Sequence, residues 1–234
     1  MNRSLGAGPK AIVFDLDGTL IDSAPDLQAA INRMLAQLGR SPLSVDAVTG
    51  MIGDGVPKLI ERALTATGGI PDDGTADALA GWVARFGDDY EGCGFPLTRP
   101  FAGVIEVLAE LHAAGFPLAI CTNKPQVATV EILKRLGLAR FFNAVLGGDA
   151  LNGVRKPDPR PLLAAIEALG VAPGEAVMVG DHLNDLACAR GAGTPAILCA
   201  YGYSRVPVDE MGADAVIERF TDLPAAISAI ATLA

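Results

Sequence analysis

None of the four cysteines, Cys93, Cys121, Cys188 and Cys199, stands in a C-x-x-C spacing. That excludes a zinc knuckle and a dithiol redox motif, and leaves buried thiols of a reducing compartment. Positive charge is also short, with 18 Lys and Arg against 27 Asp and Glu and no local basic cluster. A nucleic-acid backbone is therefore excluded as a partner, whereas a metal cation suits a net charge of −9. No apolar run reaches the length of a membrane span, and the first ten residues carry only Arg3 and Lys10 with no apolar signal core. A cytoplasmic protein is the expectation, with no membrane partner. Aromatics are scarce at 5%, while half of the residues are apolar and glycine and proline are plentiful. This balance fits an Ala/Leu/Val-rich α/β protein with many tight turns, and 234 residues suffice for a core plus a smaller module. Neither an internal repeat nor a low-complexity segment is present.

What the chain does have is Phe14-Asp15-Leu16-Asp17-Gly18-Thr19-Leu20 directly after the apolar run Ala11-Ile12-Val13. A strand that ends in two carboxylates and a Gly-Thr turn places ionisable groups on the carboxyl edge of a sheet, where open α/β folds bind ligands. If extension persists, Asp15 and Asp17 share a face. Two such charges call for a divalent cation or a shared proton. An Asp-Gly turn with a solvated aspartate is the plain alternative.

Apolar spacing predicts helices over 26–38, 56–67 and 75–90, with Trp82, Phe86 and Tyr90 forming a stripe read as core. The glycine-bracketed turn Gly53-Asp54-Gly55 precedes the second of these helices. Such a turn can present N–H groups to an anion at a helix N-terminus. Lys58, in the first helical turn, would then serve a substrate carboxylate, unless it is simply solvated. No strand pattern falls between 22 and 95, so this stretch reads as a helical insertion. From residue 99 the rhythm alternates: helices over 103–114, 126–136, 160–169 and 184–191, strands over 117–121, 144–147, 176–179, 196–199 and 215–217, then a helix from 223. Alternation of this kind predicts a parallel sheet wrapped by helices.

Polar residues recur where these strands end: Asp15 and Asp17, then Thr122 and Asn123, then Asp181 and Asp185. Strand ends of a parallel sheet face one side, so groups distant in sequence converge, with Lys156-Pro157 in a loop between them.

These motifs resemble those of the haloacid dehalogenase superfamily over the whole chain. Asp15-Leu16-Asp17-Gly18-Thr19-Leu20 is similar to its first motif, Thr122-Asn123 to its second, Lys156-Pro157 to its third, and Gly180-Asp181-x-x-Asn184-Asp185 to its fourth. The insertion, together with Thr122-Asn123-Lys124-Pro125, Gly147-Gly148-Asp149 and Tyr201-Gly202-Tyr203, resembles the phosphoglycolate phosphatase branch. The resemblance implies a Rossmann-like α/β core (1–21 and 96–234) with a helical cap (22–95) inserted after the first strand. It further implies a Mg²⁺-dependent phosphatase acting on a small phosphorylated metabolite, 2-phosphoglycolate by its branch. Asp15 would be the nucleophile that forms an aspartyl phosphate, and Asp17 the acid and then the base. Thr122 would hydrogen-bond the phosphoryl group and Lys156 offset its charge, with Asn123, Gly55 and Lys58 also binding substrate. Asp15, the Asp17 carbonyl and Asp181 would hold Mg²⁺, with Asp185 close behind. Asp185 could instead serve its helix N-terminus, and His182 departs from the small polar residue expected there. Two alternatives remain: a sugar-phosphate phosphatase or hexose-phosphate mutase of the same superfamily, and a non-catalytic phosphate-binding protein on the same fold. Monomer and homodimer are equally compatible.

Overall fold

A computed structural model describes residues 8–71 and 77–233. Six parallel strands form the central sheet: β1 (Ala11–Phe14), β4 (Leu118–Cys121), β5 (Ala144–Leu146), β6 (Ala176–Gly180), β7 (Ala196–Cys199) and β8 (Ala215–Ile217). Their order is β5-β4-β1-β6-β7-β8, so β1 is central and the chain builds outward from it in both directions. The crevice beyond the carboxyl ends of β1, β4 and β6 is the switch point at which such sheets bind ligands.

Both faces of the sheet are covered, which is why its strands read as unbroken apolar runs. Ile12, Phe14, Leu118, Ile120, Val177 and Val179 join one buried cluster with α5 (Val104–Ala113), α6 (Gln126–Arg135) and α9 (Leu223–Leu233). Ala11, Val13, Ala119, Cys121, Ala176 and Met178 face the other way, against α7 (Arg160–Ala168) and α8 (Leu183–Ala192). The period-2 alternation is thus present in space although both sets are apolar.

Between β1 and β4 the chain leaves the sheet and forms α1 (Ala24–Gln37), α2 (Val45–Thr49), α3 (Val56–Ala66) and α4 (Ala78–Gly92). Their apolar faces, including Leu27, Ile31, Leu35, Ile60, Leu64 and Phe86, pack on one another and continue into the first cluster. The predicted start of the last helix at 75 lies outside the described residues. A two-stranded antiparallel ribbon, β2 (Ile21–Asp22) with β3 (Arg99–Pro100), carries the chain out and back. Sequence periodicity did not reveal it, because two residues per strand are too few to show a period. The first helix also begins two residues earlier than its apolar spacing predicts. Pro25 sits in its first turn, where a missing N–H has no helical partner to lose.

Asp26 secures the return of the chain. Its buried carboxylate accepts from Leu97 N (3.0 Å), Thr98 N (2.6 Å) and Thr98 Oγ1 (2.7 Å), tying α1 to the segment that enters β3. Removing it leaves two backbone donors and a hydroxyl unpaired in the interior. Asp26→Ala should lower the unfolding free energy by about 2–4 kcal/mol, with an unchanged urea m-value, when denaturation is followed by circular dichroism. A loss within ~0.5 kcal/mol, as for an ordinary surface change, would show that this anchor is not needed.

Candidate active site

At the end of β1, Asp15 N donates to Val179 O of the neighbouring strand (2.9 Å), which fixes where its side chain leaves the sheet. The chain then turns through Gly18, whose φ of +84° lies in the left-handed region that glycine enters without strain. A Cβ at Gly18 would also fall 2.4 Å from a carboxylate oxygen of Asp181. The same close approach recurs at Gly180 and Gly202, where a Cβ would lie 2.3 Å from Asp185 Cγ and 2.2 Å from Asp181 Cβ. Glycine lets backbone close in around buried carboxylates here.

Asp15, Asp181 and Asp185 are all buried, and one oxygen of each lies within 4.8 Å of the others. Lys156, equally buried, places Nζ 2.9 Å from Asp15 Oδ1 and 2.5 Å from Asp185 Oδ1. The remaining acceptors are met by protein donors: Thr19 Oγ1 and Tyr203 N on Asp181 (2.9 and 2.7 Å), and Asp181 N and His182 N on Asp185 (3.2 and 3.0 Å). Asp185 therefore caps α8, one of its two sequence readings, and pairs with Lys156 at once. Burial and the neighbouring carboxylates push Asp181 well above the usual aspartate range. Asp15 is raised by burial, with Asp185 adding to the rise and Lys156 opposing it. For Lys156, burial disfavours the ammonium, but Asp15 and Asp185 outweigh it and hold the proton on.

Asp17 stands on the other side of the crevice. Ser23 Oγ donates to its Oδ1 (2.5 Å), and Lys124 Nζ lies 3.2 Å from each carboxylate oxygen. Lys124 Nζ also donates to the hydroxyl of Tyr90 (2.8 Å), which descends from α4. Asp15, Asp17, Thr122, Asn123 and Lys124 from the sheet side line one pocket with Leu27, Ile52, Gly53, Gly55, Val56, Leu59 and Tyr90 from the helical side. Lys124, Tyr90 and Ser23 were not singled out from the sequence as site residues. Lys124 had a signal, since it follows Thr122-Asn123 directly; Tyr90 had none, because the hydroxyl of a core-spaced tyrosine can point anywhere.

Two of the expected binding residues find other employment. Lys58 is exposed and pairs with Glu61 Oε2 (2.8 Å) one turn along α3, and it is not among the pocket-lining residues. Helix geometry explains this, since a position three residues into α3 faces outward when Leu59 and Ile60 face inward. Asn123 spends its side-chain amide on Gly53 O (3.0 Å) and Lys156 O (2.9 Å), holding the α3 entry loop against the Lys156 loop. Gly55 does reach the pocket, in the left-handed region at φ +84°.

The same loop is tied to the sheet side by Asn184 and Arg205. Asn184 Nδ2 donates to Asp54 Oδ1 (2.7 Å), and Arg205 donates to Gly50 O, Ile52 O and Asp54 Oδ2. Although burial opposes ionisation of Asp54, Asn184 and Arg62 hold its carboxyl down at about 2. His182 accepts from Asn184 N through Nδ1 (3.2 Å), capping α8, and its ring packs against Gly53. It thus serves as a helix cap at the seam rather than as a free rim imidazole.

The haloacid dehalogenase-like hydrolase family matches residues 9–193, a span that contains all four superfamily motifs. This chain belongs to that family. Among its relatives, the phosphoglycolate phosphatase of Caulobacter vibrioides is 44% identical over 221 residues, covering 94% of this chain and 92% of that protein. The corresponding protein of Rhodospirillum rubrum is 43% identical over 216 residues, covering 92% and 89%. In solved structures, a predicted phosphoglycolate phosphatase from Haemophilus somnus superposes with a TM-score of 0.85 at 31% identity, covering 96% of this chain and 99% of that one. CbbY from Rhodobacter sphaeroides, solved in complex with phosphate, gives 0.77 at 25% identity, covering 94% and 99%. The chain is a phosphoric monoester hydrolase of this family. Among the described residues no helix is long and apolar enough to cross a membrane.

Enzymes of this family use Mg²⁺, and the donor set here fits such an ion. It is all oxygen, it is anionic, and three buried carboxylates have one buried ammonium, Lys156, among them.

This gives a signed pH dependence. Asp15 and Asp181, raised from 3.8, bind protons in the folded protein at pH values where the unfolded chain has released them. Stability of the metal-free protein therefore falls as pH rises through their folded values. Asp54, held down, and Lys156, held up, titrate outside that window, while His182, lowered from 6.5 by burial, acts in the opposite sense, one group against two. Metal-free protein should melt at a higher temperature at about pH 5 than at about pH 7.5, and Mg²⁺ should raise the melting temperature most at the higher pH. Flat melting across both conditions, with and without Mg²⁺, would contradict a cation-starved cluster.

Proposed function

We propose that this hydrolase removes the phosphate of 2-phosphoglycolate through an aspartyl phosphate at Asp15, with Mg²⁺. The observation that carries the reading is the arrangement of Asp15: a buried carboxylate at the end of the central strand, its Oδ1 2.9 Å from Lys156 Nζ and one oxygen within 4.8 Å of those of Asp181 and Asp185. The glycolate ester rests on the likeness to the phosphatases from Caulobacter vibrioides and Rhodospirillum rubrum.

In this reading Asp15 attacks phosphorus as the ester P–O bond breaks, and Asp17 gives its proton to the leaving alkoxide. Asp17 then takes a proton from water, whose oxygen attacks the aspartyl phosphate; inorganic phosphate leaves and Asp15 is regenerated. Lys156 stays protonated and offsets the charge on Asp15 and the phosphoryl oxygens, while the Thr122 hydroxyl donates to one of them. Asp15, the Asp17 carbonyl and Asp181, steadied by Asp185, would hold Mg²⁺, which when bound neutralises part of the phosphate charge. Ser23 and Lys124 fix the direction of Asp17.

Residues 22–95 are assigned as the cap and 1–21 with 96–234 as the catalytic core. The cap loop 52–56 closes over the substrate. The protein is placed in the cytoplasm, acts on a small metabolite without nucleic acid, and works as a monomer or homodimer. The mutase alternative requires the closed cap to exclude water while a phosphoryl group moves between substrates.

Asp15→Asn should abolish phosphate release from every ester while leaving the circular dichroism spectrum unchanged, and Asp17→Asn should lower kcat by roughly 10²–10⁴-fold. Residual turnover by Asp15→Asn above a per cent or so of wild type would remove the covalent route. Substrate assignment is decided separately, by phosphate release across a panel of small phosphate esters with Mg²⁺.

A further inference from the structure

A cation is needed beside Asp17 whenever the leaving group carries its own carboxylate. The leaving oxygen must come within hydrogen-bond reach of Asp17, about 2.6–3.2 Å. In 2-phosphoglycolate a single methylene separates that oxygen from the carboxylate carbon, so the carboxylate oxygens follow within roughly 3–4 Å of it. Once Asp17 has given its proton to the leaving oxygen, its carboxylate and that of the leaving group are held together, and two like charges at that range repel strongly unless a cation lies between them.

Several cations surround the α3 entry loop, and most are committed elsewhere. Lys58 points outward and pairs with Glu61. Arg62 and Arg205 both pair with Asp54. Arg155 packs its guanidinium on Gly55 and is not among the residues lining the pocket. Among the described lining residues, Lys124 is the cationic side chain. It is buried, sits 3.2 Å from both Asp17 oxygens, and donates to Tyr90 at 2.8 Å. An ammonium has three N–H donors. One serves the two Asp17 oxygens and one serves Tyr90, which leaves one for a ligand in the pocket.

We propose that Lys124 determines specificity by holding the substrate's leaving-group carboxylate against Asp17, with Tyr90 of α4 as the positioning residue that aims its ammonium. The inference rests on the 2-phosphoglycolate reading and deepens it. Leu27, Ile52, Val56 and Leu59 give the helical side of the pocket an apolar surface beside Lys124, which suits a short leaving group whose charged end reaches the ammonium. Because Tyr90 comes from the helical side, the carboxylate contact is fully formed only when the helices sit down on the sheet. Burial works against the charge on Lys124, but Asp17 and Tyr90 outweigh it, so the ammonium is present throughout.

The test compares kcat/KM for 2-phosphoglycolate with that for ethyl phosphate, which replaces the carboxylate by a methyl group. Wild type should prefer 2-phosphoglycolate. Lys124→Met should reduce that preference roughly ten- to a hundredfold, the range of one charge-assisted hydrogen bond, whatever it does to both rates through Asp17. Lys124→Arg should restore part of the preference. Tyr90→Phe, which keeps the ring and the packing, should lower the preference several-fold through KM rather than kcat. The same ratios should appear in competitive inhibition by 3-phosphonopropionate against propylphosphonate, with no chemistry involved. Equal losses on both esters in Lys124→Met and Tyr90→Phe, with the preference retained, would overturn the inference and leave Lys124 a support for Asp17 alone. A wild type that hydrolyses ethyl phosphate but not 2-phosphoglycolate would instead overturn the substrate reading beneath it.

Discussion

Lys156 lies buried between Asp15 and Asp185, and much of the surrounding structure exists to make that pairing tolerable. A buried charge is costly unless its partners are close and its lone pairs are met. Here three carboxylates share one ammonium, so the balance stays negative. The deficit is spread over backbone N–H groups at 181, 182 and 203 and the Thr19 hydroxyl. Glycines at 18, 180 and 202 let those backbones come close enough. The strand order serves the same end, because β1 between β4 and β6 brings the two acidic strand ends together.

Asp17 belongs to a second, separate balance with Lys124, Ser23 and Tyr90. Keeping it apart from the first has a chemical use. In the proposed mechanism the acid and base exchanges its proton during turnover, while the nucleophile and its counter-charges do not. The two carboxylates, two residues apart in sequence, face different lysines, which suits the two tasks proposed for them. The second balance also reaches across to the helices through Tyr90, as Asn123, Asn184 and Arg205 do for the α3 entry loop.

Strands buried on both faces are continuous apolar runs, and their helices end at glycines, so nearly every element of the sheet was readable within a residue or two. Asp15, Thr122 and Asp181 were readable as well, since each stands directly after such a run. What escaped depends on contacts distant in sequence. The hydroxyl of Tyr90 meets Lys124 across 34 positions and Arg205 meets Asp54 across 151, and no local pattern encodes either. Lys58 shows the converse error. Its place in the first turn of α3 was read correctly, but the side of the helix it occupies is set by Leu59 and Ile60, and that side is not the pocket's.

The ribbon of β2 and β3 brings Ile21 opposite Pro100 and Asp22 opposite Arg99, so the chain re-enters the core beside the point where it left. Cross-strand neighbours in such a pair are only about 5 Å apart, a gap that one tight turn can bridge. From the standpoint of the sheet, the whole helical excursion is therefore equivalent to a hairpin loop. Closing a loop grows more costly only with the logarithm of its length, so the length of this excursion adds little to the entropic cost of closing the core. A chain built this way can renew what it recognises by recombination at a single seam, while the strand ends that carry out the chemistry are inherited unaltered.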